Sequence, residues 1–179
     1  MQEKEAHYFN RTIKHIQRVQ DAALYLITEC SEELHLSLDQ CREIAYNITR
    51  HDNTKFTYEQ FDPYLEFTWK KLRGEDAELP RSAWVNHYNS ENHHPERLNG
   101  RGTLGPVVVV EMACDLQAMA EEFGDVSGRG YFDNVWRKKQ RSQFANWPKV
   151  KSLMEKCFDC FESRLMHAVT ERVDDGVLR

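Results

Sequence analysis

The segment PVVVVEMACDLQAMAEEFG, from Pro106 to Gly124, constrains this chain more than any other. Pro106 suits the first position of a helix, where a missing N–H costs nothing, and Gly124 suits the residue just past the end. The spacing predicts a helix over Pro106 to Phe123 despite four β-branched valines, with a four-residue strand as the alternative. Around Asp115, the positions i−7, i−3, i+3 and i+4 are Val108, Met112, Ala118 and Met119, an apolar face, and position i−4 is a second acid, Glu111. An ionised buried carboxylate is costly without a partner, and a like charge nearby adds to the cost. The fold must therefore bring positive charge to this helix. An arginine or lysine would serve, and so would a metal ion.

The rest of the chain also reads as helix, because sustained apolar/polar alternation is missing and only eight Gly and five Pro punctuate it. Helices are predicted from about Glu5 to Cys30, and from Ser37, whose capping-box partner is Gln40, to near His51. Thr57 and Gln60 repeat the capping pattern for a helix to about Leu72, in which Pro63 is expected to delay or kink the start. Gly74 to Pro80 reads as a loop, followed by a short helix through Trp84 and His87. The run HHPERLNGRGTLG is irregular, and its Pro95 disfavours helix at His94. Two last helices are expected at about Tyr131 to Phe144 and Pro148 to Val173. The fold class is all-α: a helical bundle forming a single domain over 1–179, with a core at about 12–124 and C-terminal helices at about 129–173.

Twenty-four Lys and Arg against twenty-nine Asp and Glu give a net charge of −5, which supplies no basic field for duplex nucleic acid. No apolar run approaches the ~20 residues of a spanning helix, and the N-terminus lacks a signal peptide's apolar stretch. A cytoplasmic protein without a membrane partner is expected, with homo-oligomerisation left open. Cys30, Cys41, Cys114, Cys157 and Cys160 make an odd count in helical stretches and read as reduced thiols. In the Cys157/Cys160 pair, interleaved Phe158 and Phe161 favour packing over redox or zinc chemistry.

Seven of the eight histidines precede Gly100, several of them beside acids: His15, then His51-Asp52, then His87, His93 and His94. Imidazoles and carboxylates suit Zn, Fe, Mn, Co or Ni, and a bridging carboxylate can hold two cations together. His51 is in phase with Ile44 and Ile48 and should point inward. His94, seven residues after His87, is slightly favoured over His93 as a ligand if helical phase persists. Each of these residues alone has an ordinary explanation, such as packing, solvation or an ion pair. The order H, HD, H, HH, D is what adds specificity.

That order resembles the HD-domain superfamily of helical metal-dependent phosphohydrolases, whose first histidine, adjacent His-Asp and distant aspartate hold a metal. His15, His51, Asp52 and Asp115 match it, and His87, His93 and His94 resemble the additional histidines of dinuclear members. The strings HDNTKF, AWVNHYNSENHHPE and EMACDLQAMAEEFG look closer still to an uncharacterised family of phages and bacteria, catalogued as a domain of unknown function. The resemblance covers about Thr12 to Gly124. The glycine usual after His-Asp is absent, since Asn53-Thr54 precede Lys55.

The resemblance implies one or two divalent transition-metal ions (Mn, Co, Zn, Fe or Ni), no organic cofactor, and hydrolysis of a nucleotide or other small phosphate ester by a metal-activated water. His15, His51, Asp52 and Asp115 would hold one metal. Asp52 would bridge to a second, held by His87 and one or both of His93 and His94. Lys55 and Glu59 are then candidates for catalysis, Arg18, Lys55 and Arg97 for binding the anionic substrate, and Glu111 for orienting a histidine. The same ligands also resemble mixed-valent di-iron oxygenases. A non-catalytic, metal-stabilised binding protein is a third expectation. For a phage-encoded chain the compartment would be the host cytoplasm.

Overall fold

Helix α1 (Glu3–Glu29) exists because one stripe of its surface, Tyr8, Thr12, His15, Val19, Ala22, Ala23 and Leu26, is buried at helical spacing. The computed structural model describes residues 2–94, 102–125, 127–136 and 145–174. His15 thus sits on the buried stripe of α1, between Thr12 and Val19.

Helix α2 (Leu38–Ile48) opens with the capping box expected from the sequence. Gln40 N donates to Ser37 Oγ at 3.2 Å, and Ser37 N donates to Gln40 Oε1 at 2.8 Å. It ends three residues before His51, and a 3-10 turn (Asn53–Phe56) follows. Helix α3 (Tyr58–Leu72) begins after Thr57 without a side-chain cap, because the Thr57 hydroxyl donates instead to Thr54 O at 2.7 Å. Pro63 lies inside α3 and does not delay its start. Helix α4 (Arg81–Ser90) precedes the histidine pair. Helix α5 (Pro106–Glu122) carries Pro106 in its first turn and gives way to Gly124 at φ 80°. Helix α6 (Arg129–Tyr131) runs into a π-helical turn (Phe132–Trp136), and α7 (Trp147–Asp174) is the last helix. The helix expected over Tyr131 to Phe144 is therefore observed only to Trp136; residues 137–144 lie outside the described ones. No strand occurs among the described residues.

Helix α5 is the axis of the bundle. It packs against α1, α2 and α7 and is buried nearly all round, from Val107 to Ala120. Tertiary burial outweighs the weak helix preference of its valines. Val19, Leu26, Ile44, Val110, Met154 and Phe158 meet around it in one core. Cys157 and Cys160 lie in that core as free thiols, and burial pushes both thiols up, so they act as packing groups.

One close approach ties α6 to this axis. A Cβ on Gly128 would stand 2.8 Å from the Leu116 carbonyl carbon and oxygen and 2.9 Å from Gln117 N. Gly128 N donates to Gln117 Oε1 at 3.1 Å. Gly128→Ala should lower the unfolding free energy by about 1–3 kcal/mol, the usual cost of forcing atoms into a packed contact. Denaturant titration measures it, and an unchanged midpoint would contradict the backbone contact.

Candidate metal centre

The centre forms where α2 ends. Asp52 adopts a left-handed conformation, φ 59° and ψ 7°, which is rare for residues other than glycine but tolerated by aspartate. This single residue turns the chain from α2 into the 3-10 turn. Because the positive φ falls on Asp52 itself, Asn53 and Thr54 need no glycine at their positions. His51 and Asp52 are both buried, 0% and 1% exposed.

Asp52 stands between two groups of side chains. Its Oδ2 is 3.3 Å from His15 Nε2 and 3.7 Å from His51 Nε2. Its Oδ1 is 3.3 Å from His87 Nε2 and 3.7 Å from His93 Nε2. Asp115 Oδ1 completes the first group, 3.1 Å from His15 Nε2 and 3.8 Å from His51 Nε2. His94 completes the second: one ligand atom from each of His87, His93 and His94 lies within 4.8 Å of the others, as do those of His15, His51 and Asp115. The buried His51 Nε2 and Asp52 Oδ1 have no hydrogen-bond partner. Orphaned buried atoms of this kind are rare, and a cation at either group would satisfy them. The residues present fit a metal site.

Glu111 lies behind the ligands. Its Oε1 is 3.2 Å from His51 Nδ1, which donates to it, and 3.4 Å from His93 Nδ1. With Nδ1 protonated, His51 presents the lone pair of Nε2 toward Asp52 and Asp115, as ligand-orienting carboxylates do. His93 belongs to two ligand groups, one with His87 and His94 and one with His51 and Asp52. The slight preference for His94 relied on helical phase, but α4 stops at Ser90 and that phase does not reach the pair.

The other expected residues divide. Lys55 reaches the centre, pairing with Asp52 Oδ2, with its ammonium 5.6 Å from the Tyr64 ring centroid. Glu59 is exposed and does not line the cavity above the cluster, because the first turn of α3 buries Gln60 instead. Arg18 does not line it either: the half of α1 around Val19 and Leu26 lies against the core, and the cavity opens over Tyr8, Arg11 and His15. Arg11 is the basic residue that α1 supplies. Arg97 lies outside the described residues.

Two acids escaped the sequence reading. Glu91 is buried, groups with Asp52 and His87, and accepts from Thr54 Oγ1 at 2.6 Å. Its signal was its place four residues after His87. Glu122 lies 4.0 Å from His15 Nδ1 and accepts from Arg11 Nε at 2.5 Å. Its signal was a spacing of seven from Asp115.

A family model described as "Family of unknown function (DUF5662)" matches residues 4–171. The chain belongs to that family. Comparison with the curated proteins finds no match, and comparison with the solved structures finds none either. The DUF5662 match spans every residue of both ligand groups and most of α7.

The charges in this DUF5662 chain are strongly biased. Burial opposes a charged His15, but hydrogen bonds to Asp115 and Asp52 win and raise it to about 9. Burial holds His87 down at about 2, against the pull of Asp52. Burial also opposes charge on Asp52, Asp115 and Glu111, yet the surrounding imidazoles, preceded at Asp52 by Lys55, outweigh it and hold all three below the usual carboxylate range. In the metal-free protein, the stability contributed by His15 is full below pH 6.5 and lost as pH rises through about 9. That of His87 is present above pH 6.5 and lost as pH falls below it.

Two outcomes follow. The thermal midpoint of chelator-treated protein should fall between pH 7 and about 9.5. Metal added at about pH 7.5 should release roughly one proton, because a ligating imidazole must be neutral. Titration calorimetry in buffers of different ionisation enthalpy counts that proton, and a count of zero would remove His15 from the ligand set.

Proposed function

We propose that this chain is a metal-dependent hydrolase of a small phosphate ester, built on a dinuclear site of the HD type. The observation that carries the reading is the placement of Asp52, with Oδ2 toward His15 and His51 and Oδ1 toward His87 and His93. A carboxylate with one oxygen facing each of two histidine groups is suited to bridge two cations. His15, His51 and Asp115 would hold one ion, and His87, His93 and His94 the other. Bound there, the ions would supply Lewis acidity and a water of lowered pKa.

The chain's own residues do the rest. Glu111 holds the His51 ring by its Nδ1 proton. Lys55, between Asp52 and the Tyr64 ring, is the cation nearest the bridge and would contact a phosphate oxygen. Burial, with Asp52 nearby, pushes the Tyr64 phenol up, so it stays a neutral wall of the cavity.

A specific observation favours a second reading, a mixed-valent di-iron oxygenase. The lysine and the arginine that line the cavity among the described residues are already matched by acids, Lys55 by Asp52 and Arg11 by Glu122, and phosphate chemistry normally draws on unmatched cations. Metal identity separates the two, since iron with an oxygen-dependent product belongs to the oxygenase.

Purified without chelator, the protein should carry one or two transition-metal ions per chain by elemental analysis. Asp52→Ala should lose both ions and all phosphatase or phosphodiesterase activity. Full metal retention in that variant would remove the bridge. Lys55→Ala should keep its metal yet lose roughly thirty- to several-hundred-fold in turnover, as when a preorganised transition-state contact is deleted. A change of less than about twofold would make Lys55 a spectator and favour the oxygenase.

A further inference from the structure

The cavity above the cluster, about 410 Å³, has a polar floor and walls of different chemistry. Phe67 from α3, Trp84 and Tyr88 from α4, Met119 from α5, Phe123 just past its end and Tyr131 from α6 present ring and thioether surface to it. Trp84, Phe123 and Tyr131 are 44%, 68% and 51% exposed, large apolar groups left open beside a buried cluster of histidines and aspartates. Trp84 stands edge to face with Tyr88, their ring centroids 4.7 Å apart. Ligand cavities start at roughly 300 Å³, so this one has room for a head group and a body of one or two rings.

Charge narrows the head. Among the described residues the lining arginine and lysine, Arg11 and Lys55, are paired with Glu122 and Asp52, His15 lies against Asp52 and Asp115, and the exposed Asp125 adds an acid to the same lining. A single anionic group would be answered by metal ions held at the floor. A second or third, as on a polyphosphate, would meet Asp125 and no unmatched cation among these residues. Asp125 and Ser127 could pair with a hydroxyl or two of a sugar, but the hydroxyls set against the rings and the thioether would lose their partners, which costs free energy.

We infer that the site takes a substrate with one anionic head and a flat apolar body, a phosphomonoester of an aromatic alcohol, and that Trp84 selects the body. The head rests on the hydrolase reading. The body does not, because the aromatic wall would recognise it whatever chemistry the floor performs. Trp84 lies three residues before His87 on α4, so it stands on the same helix that supplies a ligand and touches the part of the substrate that does not react.

Titration of the metal-loaded full chain with naphthylphosphonate, ribose phosphate and inorganic phosphate tests this. Naphthylphosphonate has no scissile ester, so the readout is a Kd and not turnover. It should bind at least tenfold tighter than the other two. Trp84→Ala should lose about ten- to thirtyfold for naphthylphosphonate alone, the range of a truncated aromatic anchor. Trp84→Phe should keep most of the margin, and metal content and the inorganic phosphate Kd should be the same in all three proteins. Naphthylphosphonate binding no tighter than ribose phosphate would overturn the inference. So would a margin that survives in Trp84→Ala with metal intact. If inorganic phosphate fails to bind while naphthol, titrated alongside as the body without its head, binds in a Trp84-dependent way, the phosphomonoester and the hydrolase reading both fall, and selection of an aromatic body stands.

Discussion

A carboxylate with 1% exposure, held in a left-handed turn and surrounded by four imidazoles, sets the terms for the rest of this molecule. Asp52 is tolerable in its ionised form only because positive or proton-donating groups converge on it from α1, from the turn after α2 and from the residues in and just after α4. Each of those elements must therefore be held in place by packing elsewhere. The core around α5 does that, with α1, α2 and α7 laid against a helix that is apolar on nearly every side. Where α5 is not apolar, it carries the acids that complete the cluster, Glu111 and Asp115.

The same arrangement explains the uneven charging of the histidines. His15 lies between two carboxylates and holds its proton, whereas His87 feels Lys55 and His94 as well as Asp52, and burial keeps it neutral. His15 is thus a proton reservoir and His87 a ready lone pair. A cation entering either group meets an environment already negative at Asp52 and Asp115. Binding and folding are coupled through the same few atoms.

Much of this was legible before any coordinates. The capping box at Ser37 and Gln40, and the Pro106 and Gly124 punctuation, predicted the starts or stops of α2 and α5 because they are local hydrogen-bond and φ requirements. The Thr57 cap failed because a competing local acceptor, Thr54 O, took the hydroxyl. Pro63 disturbed α3 less than its ring suggests. The histidines and aspartates were found from their order, and Glu111 from its spacing to Asp115.

What the sequence determined by itself is the helical class, the placement of two acids on an apolar helix, and the identity of the groups able to answer them. These follow from periodicity, capping and charge, which act over a few residues. Tertiary structure alone decided which oxygen of Asp52 faces which histidines, that Arg11 and not Arg18 borders the cavity, that Glu91 and Glu122 join the centre while Glu59 faces outward, and that aromatic side chains from α4 and α6 wall the space above it. Those facts depend on the rotation of each helix about its own axis against its neighbours. That rotation is settled by how the whole core packs, and no local stretch of residues encodes it.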